Sequence, residues 1–344
     1  MSDFLPDSVV ERILLKLPHT ALVRFTSVSK PWNSLISSHN FIVQHSLSNP
    51  IDPLILTFHS TRSFLSTFCI DPSLTFTPID SPSYPFSLRF LQSVHGLVCL
   101  HHAHNVILWN PSINKHFRIP APTLGPAAGI GFGFDSKNHD FKVIRIVHSC
   151  RVELYSLNQG CWKDIDVPLE VDLSLKFSDT PCFLNGNVHW LVYHDDIYGD
   201  EKHILMFDVE EEKFGKLEFP AKLVKALFMN LKVTVIGDNL SVLNCKSRRD
   251  WCDIWMVGYH GVWNKMYSFN IVGGRGISNV FGLSSKETVI VLRQDPEEEE
   301  SERTYFSMHS FTYQSELVEF FDVEGEVSSV CEYTPGSLFL LDKA

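Results

Sequence analysis

The sequence predicts a mainly β protein with a small all-α module at its N-terminus, over residues 1–48, followed by a β-propeller over residues 49–344. Two observations support this fold class. In the first 48 residues, large apolar side chains recur at every third or fourth position, which is the spacing of amphipathic helices. From Pro50 onward, short apolar runs alternate with Gly, Asn, Asp, Ser and Pro, a pattern typical of many short strands joined by turns.

Four short helices are expected in the N-terminal module. Asp7 is a candidate cap for the first helix, Thr20 for the second, and Pro31 occupies the favoured first turn of the third. The fourth helix is expected over residues 40–47. The apolar positions of the first three are Val10, Ile13, Leu14 and Leu17, then Leu22, Phe25 and Val28, then Trp32, Leu35 and Ile36.

A module of this size cannot bury enough apolar surface to be stable alone, so either the rest of the chain or a partner must cover it. A helical cap on the following domain is the plain structural alternative to a partner-binding module. A closed propeller would have a core of its own, and we therefore expect a separate partner to cover these residues.

The rest of the chain contains an internal repeat. Five segments share one pattern, an apolar-aromatic strand, a polar turn and a second strand with an aromatic residue. Their first aromatic residues are Trp109, Tyr155, Phe207, Trp255 and Phe311. The period is about 50 residues, which suits four strands per unit and predicts a β-propeller of kelch-like blade length.

Closure of the ring is expected at the C-terminus. Residues 54–80 form only part of a blade, and residues 327–331 and 338–341 supply strands without a unit of their own. Pairing a C-terminal strand with the first blade would hide two sheet edges and give six blades. An array of β-sandwiches is the alternative.

The N-terminal pattern closely resembles the F-box, over residues 3 to about 45. In that family the motif docks on the Skp adaptor of cullin-RING ubiquitin ligases. The resemblance implies adaptor-binding positions at Leu5, Pro6, Ile13, Leu14, Leu17, Pro18, Leu22, Val28, Trp32, Leu35 and Ile36. Some of these, such as Ile13 and Trp32, are expected to pack within the motif itself.

The remainder resembles the F-box-associated, kelch-like domain of plant F-box proteins, over roughly residues 50–340. The matching segments are 96–99, 108–112, 131–135, 141–143 and 186–190. True kelch repeats carry paired glycines in each blade, whereas only Gly273-Gly274 occurs here and not at the expected place. The resemblance therefore implies kelch-like geometry without kelch-type partners.

Composition restricts the partners. The net charge is −11, and residues 1–50 carry about +1 of it, so the remainder carries about −12. Such an acidic domain disfavours nucleic acid as a partner. We find no signal peptide and no membrane-spanning run, and we expect no membrane partner. The eight cysteines are scattered in apolar runs, which predicts reduced, largely buried thiols and a cytoplasmic or nuclear location.

No catalytic, metal or cofactor motif is convincing. The glycines of residues 129–133 lack the spacing of a dinucleotide loop and are better explained as a strand in a crowded place. His101, His102 and His104 have only the weak fourth ligand Cys99 for zinc. The carboxylates of residues 195–201 are better explained as a solvated loop. We therefore expect no cofactor, no metal and no catalytic residue, although a propeller enzyme with a helical head remains an alternative.

Client binding is expected on the joins between the second and third strands of each blade, near residues 101–105, 147–151, 194–202, 245–251 and 294–303. These joins emerge on one face and differ in length and charge, as recognition loops do. Tyr198, Arg248, Arg249 and Trp251 are the candidate contacts, because aromatic and Arg side chains dominate interfaces. The alternative is that they are tolerated surface insertions.

The two resemblances together imply a substrate receptor of an SCF-type ubiquitin ligase. The F-box would bind the Skp adaptor and through it the cullin, and the propeller would hold a client protein. The chain itself would make or break no bond. A non-degradative scaffold is the competing interpretation.

Overall fold

The structure is a computed structural model of the full chain. It describes residues 6–48, 53–60, 65–70, 76–80, 82, 88–147, 151–167, 175–178, 180–193, 202–246, 251–258, 261–270, 277–283, 288–294, 303–310, 321–324 and 327–343. Among these, the backbone alone is described for most of residues 65–76 and for residues 277–328.

Four helices form the N-terminal module, as predicted: α1 Asp7–Leu14, α2 His19–Phe25, α3 Lys30–Ile36 and α4 His39–Ser48. The caps of α1 and α2 differ from the prediction. Pro6, not Asp7, caps α1, because its carbonyl accepts from Val9 N at 2.8 Å. Pro18, not Thr20, caps α2, because its carbonyl accepts from Ala21 N at 3.0 Å.

The start of α3 agrees with the prediction, and its cap is Ser29. Ser29 Oγ accepts from Trp32 N at 3.3 Å, and Pro31 occupies the first turn, where its missing N–H costs nothing. Val28 lies between α2 and α3, outside either helix.

The remainder is β structure. In chain order the strands are β1 Leu54–Ser60, β2 Leu65–Ile70, β3 Phe76–Ile79, β4 Arg89–Val94, β5 Leu97–His102, β6 Asn105–Asn110, β7 Lys115–Arg118, β8 Ala127–Asp135, β9 Asp140–Val147, β10 Arg151–Ser156, β11 Cys161–Ile165, β12 Lys176–Phe177, β13 Cys182–Leu184, β14 Asn187–Tyr193, β15 Lys202–Asp208, β16 Lys213–Glu218, β17 Leu231–Ile236, β18 Asn239–Lys246, β19 Trp251–Val257, β20 Trp263–Asn270, β21 Ile277–Leu283, β22 Thr288–Gln294, β23 Arg303–Ser310, β24 Phe321–Glu324 and β25 Val327–Tyr333.

Within the described residues these strands form six antiparallel sheets. Sheets 1 to 6 have the orders β4-β5-β6-β7, β8-β9-β10-β11, β12-β14-β15-β16 with β13 also on β14, β17-β18-β19-β20, β21-β22-β23-β24 and β25-β1-β2-β3. We call the strands of each sheet a to d in that order. Neighbouring sheets meet through their a strands, among them β4 with β8, β17 with β21, and β25 with both β21 and β4.

For four of the five segments, the two strands of the repeat are strands c and d of a sheet, as the repeat predicted. The fifth segment, beginning at Phe311, lies outside the described residues. The C-terminal strand β25 pairs antiparallel with β1, from Leu54↔Tyr333 onward.

Residues 338–341 do not form the expected strand. They are in turns, with Leu341 N donating to Leu338 O at 3.0 Å and Leu340 at φ 73°. Their side chains are nevertheless buried, Leu338 at 0 % and Phe339 at 4 % exposure. The apolar run therefore serves packing and not strand pairing, which a pattern of apolar residues alone does not distinguish.

The glycine-alternating segment is strand β8, as predicted, and its surroundings are crowded. A Cβ on Gly131 would lie 2.3 Å from Trp190 Cζ2, and one on Gly129 would lie 2.7 Å from Phe177 Cδ1. The glycines therefore let sheet 3 approach sheet 2 more closely than any side chain would allow.

The prediction of reduced cysteines is wrong for one pair. Cys245 and Cys252 face each other on β18 and β19 and form a disulfide. The pairing depends on the register of two strands across the join 247–250, which cysteine spacing does not reveal. Cys99 and Cys182 are buried free thiols as expected, whereas Cys161 is exposed.

Candidate functional site

The apolar residues of the helical module divide into two sets. Leu14, Leu22 and Ile36 are 0–1 % exposed and belong to one continuous core with residues of sheets 1 and 2. Phe41 of α4 joins the same core at 0 % exposure. The chain itself therefore covers these side chains, contrary to the expectation that a separate partner would cover them all.

The C-terminal tail joins the module to the sheets. Ser46 Oγ of α4 accepts from Leu338 N at 2.8 Å. Asn110, at the end of β6, donates from Nδ2 to Ser337 O at 3.0 Å and to Phe339 O at 2.7 Å. The Phe339 ring packs edge-on against Phe141 of sheet 2, with centroids 4.7 Å apart. The tail thus contacts the helices on one side and sheets 1 and 2 on the other.

The module occupies one face of the sheet array. Helix α2 contacts the 3-10 turn Pro111–Ile113, which joins strands c and d of sheet 1. We call this the turn face, defined by the short connections 95–96, 111–114, 185–186 and 237–238. Because strand direction alternates, the joins between b and c and the connections from d to the next a lie at the opposite ends of the strands. We call that side the loop face.

The second set of module side chains points outward. Val9 is 37 %, Ile13 48 % and Val28 60 % exposed. Val9 and Ile13 are four residues apart on α1 and share a face. The sequence prediction missed Val9, although its spacing from Ile13 is a signal for it.

The other predicted adaptor contacts lie between these extremes. Leu17, Trp32 and Leu35 are half-buried, and Pro6 and Pro18 are exposed. Trp32 packs edge-on against Phe25 at 5.4 Å, so it contributes to the motif's own packing as expected. Ile13 does not, because it is half exposed. Leu5 lies outside the described residues.

A buried histidine fixes the end of α4 against the turn after α1. His45 is 2 % exposed, and its Nε2 lies 2.8 Å from Leu17 O. Burial lowers the pKa of His45, although the Leu17 carbonyl opposes this. Burial, together with the nearby His45, also lowers the pKa of His19.

Three of the four predicted client contacts, Tyr198, Arg248 and Arg249, lie outside the described residues. Trp251 begins β19 and is half-buried. Its Nε1 donates to Asp253 Oδ1 at 2.8 Å, so its ring is held against its own strand. Burial raises the pKa of Asp253, but hydrogen bonds from Lys265, Ser268 and Trp251 outweigh it and the net shift is downward.

A cavity of about 140 Å³ lies between β13 of sheet 3 and the a strands of sheets 1, 4 and 6, and is lined by Phe90, Gln92, Cys182, Lys232 and Glu332 among others. Desolvation lowers the pKa of Lys232 to about 7 and raises the pKa of the Cys182 thiol. A lysine near neutrality can act as a base or nucleophile.

The weak zinc candidate gains no support. Cys99 is fully buried on β5, and burial raises the pKa of its thiol, which opposes the thiolate a metal needs. Within the ranges given above, no three His, Cys, Asp or Glu side chains come close enough together to hold a metal ion. No helix in the described part of the chain is long and apolar enough to cross a membrane.

A helical module packed by one side on an array of antiparallel sheets defines a two-part architecture, with the helices on the turn face. Comparison with known families then gives the identification. The F-box domain matches residues 3–44, and the F-box associated beta propeller domain matches residues 61–339. The chain belongs to the F-box associated beta propeller family.

The curated relatives are plant proteins. The F-box/kelch-repeat protein At3g23880 of Arabidopsis thaliana is 26 % identical over 293 residues, covering 77 % of this chain and 79 % of that protein. The putative F-box protein At4g21240 of the same plant is 28 % identical over 243 residues, covering 64 % of this chain and 58 % of its own length. F-box proteins are typically non-catalytic substrate receptors.

Among solved structures, a protein of unknown function from Bacteroides caccae matches with a TM-score of 0.48 and 8 % identity, covering 83 % of this chain and 99 % of that one.

Proposed function

We propose that this protein is the substrate receptor of an SCF-type ubiquitin ligase. Its helical module binds the Skp adaptor and through it the cullin, and its propeller presents a client protein. Catalysis is by proximity, since holding a client lysine near the loaded conjugating enzyme raises the effective concentration of the reacting groups. We place this activity in the cytosol or nucleus, on the sequence grounds given above.

One observation carries the adaptor proposal. Val9, Ile13 and Val28 remain 37–60 % exposed on a module whose other apolar side is buried against the chain. Several large apolar side chains exposed on one small module favour a protein interface.

We also propose that the six sheets are six blades of one ring, closed by β25 as the a strand of sheet 6. Contacts of β25 with both β21 and β4 support this arrangement, as does its pairing with β1. Such a ring leaves few exposed sheet edges. It would also separate the adaptor and client sites, because the module occupies the turn face and the longer joins emerge on the loop face.

The adaptor proposal is tested by charge substitution at exposed and buried positions. Ile13→Asp and Val28→Asp should weaken adaptor binding by about 10- to 100-fold, because burying one such side chain contributes about 1.5–3 kcal/mol. Their unfolding free energy should change by less than about 0.5 kcal/mol, as for most surface substitutions. Calorimetric titration of full-length protein with the adaptor gives the first quantity and urea unfolding the second.

Two controls accompany this test. Met266→Asp, at a position 53 % exposed on β20, should leave adaptor affinity unchanged. Ile36→Ala should destabilise the protein by about 2–5 kcal/mol, because Ile36 is fully buried. Unchanged adaptor affinity in both Ile13→Asp and Val28→Asp would refute the docking surface. A client whose half-life does not change when Ile13→Asp abolishes adaptor binding would favour the scaffold interpretation.

A further inference from the structure

The connection between sheets 3 and 4, residues 219–230, lies on the loop face and is described throughout. It runs from strand d of sheet 3, β16, to strand a of sheet 4, β17. Connections from d to the next a emerge on the same face as the b–c joins. The sequence prediction of the client site considered only those joins.

The segment is firmly anchored. Phe219 and Leu223 are 6 % and 4 % exposed and pack in the core between sheets 3 and 4. Lys202 Nζ, buried at the start of β15, donates to Val224 O at 2.7 Å. The ring of Phe228 stacks on Tyr193 with centroids 3.6 Å apart and planes at 26°.

Its backbone is also ordered by internal turns. Leu223 N donates to Pro220 O at 2.8 Å, Ala226 N to Leu223 O at 2.9 Å, and Asn230 N to Leu227 O at 3.0 Å. A segment held in one conformation before binding loses little conformational entropy when a partner docks.

Two apolar side chains of this anchored segment point into solvent. Leu227 is 57 % exposed, and Met229, at 83 %, is the most exposed large apolar residue in the described part of the chain. Met is unbranched and polarizable, and it is over-used at surfaces that accept varied apolar partners. Burying both side chains in a complex would favour association, because apolar surface would leave water.

The charge on the segment is positive. Lys222 and Lys225 are exposed, and the sequence has no acidic residue from Phe219 to Ile236. The preceding acidic residue, Glu218, has an oxygen 3.5 Å from Lys216 Nζ. The next one, Asp238, lies in a connection on the turn face. The two lysines thus precede the exposed Leu227 and Met229 in the sequence. The segment itself contains no carboxylate.

We propose that residues 222–229 are a docking surface for a client segment that carries apolar side chains next to acidic ones. The apolar groups of the client cover Leu227 and Met229, and its carboxylates face Lys222 and Lys225. Opposite charges at the rim of such a contact select the partner and accelerate association more than they add affinity. This inference rests on the proposed receptor function and specifies the chemistry of its client.

The test is a selection of random displayed peptides on full-length protein bound to its adaptor. The wild-type protein should enrich peptides that combine Leu, Phe or Met with Asp or Glu. Binding of the enriched peptides, measured by fluorescence polarisation, should fall at least about tenfold with Leu227→Asp or Met229→Asp, since one buried apolar side chain is worth about 1.5–3 kcal/mol. Lys222→Glu combined with Lys225→Glu should slow association and reverse the sign of its salt dependence, because the new carboxylates repel the acidic peptide.

Matched controls keep the outcome interpretable. Met266→Asp and Val262→Asp change apolar residues that are 53 % and 56 % exposed outside the segment, and they should leave peptide binding unchanged. The variants at Leu227, Met229, Lys222 with Lys225, Met266 and Val262 should retain wild-type adaptor affinity and melting temperature, which excludes misfolding. Ile13→Asp should lose the adaptor and keep the peptides, so failure of the receptor proposal and failure of this one are separable.

Three results would overturn the proposal. The first is enrichment of basic peptides, or of peptides whose binding Met229→Asp does not affect. The second is a dimer that Met229→Asp converts to a monomer, since a second copy would then cover the surface. The third is peptide binding that requires neutralising the carboxylates of residues 195–201, since the chain's own acidic segment would then be the occupant.

Discussion

At the scale of single residues, burial lowers the pKa of His189. It lies on β14 at 5 % exposure, and desolvation lowers its pKa to about 4, although backbone hydrogen bonds near Cys182 and Asn187 oppose the shift. The local sequence around His189 does not indicate this lowered pKa. Only the packing of sheet 3 removes the ring from water.

The lowered pKa makes stability depend on pH in a definite direction. The unfolded chain binds a proton near pH 6.5 and the folded chain does not, so the contribution of His189 is complete above that pH and is lost as the pH falls toward 4. From pH 6.5 to pH 5.5 the loss is about 1 kcal/mol, because the full slope of about 1.36 kcal/mol per pH unit is reached only well below pH 6.5. His189→Gln should flatten the dependence by that amount.

Urea unfolding of wild type and His189→Gln at a series of pH values provides the measurement. The variant can be less stable overall, but the two curves should converge as the pH falls. Burial also lowers the pKa of His19, His45 and His95, so a residual slope of the same sign should remain in the variant. Parallel curves would mean that His189 does not titrate differently in the folded state.

At the scale of elements, β8 is the clearest case of sequence specifying an interface. Its alternating glycines were predicted to lie in a crowded strand, and each described contact confirms it. The partner is the neighbouring sheet 3, with Trp190 fixed by a 2.8 Å hydrogen bond from Nε1 to Ile130 O. A side chain at Gly131 would therefore meet a ring that cannot turn aside.

Gly131→Ala should destabilise the protein by about 1–3 kcal/mol or more, because overpacking a close-packed interior forces neighbours from their positions. Gly125→Ala is the matched control, since a Cβ there would meet nothing within 4 Å. It should change stability by less than about 1 kcal/mol, in the stabilising direction if at all. Thermal unfolding of the two variants decides the point, and equal melting temperatures would contradict the close approach of the two sheets.

Two predictions from the sequence are wrong at the scale of elements. Residues 338–341 read as a strand because they are apolar, and the cysteines read as reduced because they are scattered. The tail forms turns because the module and two sheets give its side chains a core without a strand partner. Cys245 and Cys252 meet because the register of β18 and β19 puts them opposite each other.

At the scale of the whole molecule, the C-terminal tail couples the two parts of the chain. Asn110 uses its side chain for three contacts, two to tail carbonyls and one from Ser112 N at 3.0 Å. Tyr333 of the last strand accepts from Ser112 N at 2.8 Å, and Lys115 Nζ donates to Lys343 O at 3.1 Å. The first sheet, the last strand and α4 therefore meet around one segment.

Asn110→Ala should loosen this junction. It leaves the carbonyls of Ser337 and Phe339 without this donor, at about 1–3 kcal/mol for each unsatisfied group, whereas Ser112 N keeps the Tyr333 hydroxyl as its acceptor. Hydrogen exchange should accelerate in α4 and in residues 335–343 while β14 and β15 keep their protection. Asn264→Ala, at an exposed position on β20, is the control, and equal exchange in both variants would show that the tail does not depend on Asn110.

The sequence by itself determined the elements and their order, because helical and strand periodicity are local properties of neighbouring residues. The helices of the module, the strands of four repeats and the crowding at Gly131 follow from spacing alone. It also carries two family patterns that indicate the class of protein.

Only the tertiary structure decided which side of each element is covered. Leu14, Leu22 and Ile36 belong to the same apolar pattern as Val9, Ile13 and Val28, yet the first three are buried in the chain and the second three are exposed. Likewise, nothing in the local sequence of residues 219–230 tells that Phe219 and Leu223 point inward and Leu227 and Met229 outward. Burial depends on contacts between residues that are far apart in the chain. Periodicity depends only on near neighbours, so it does not predict these contacts.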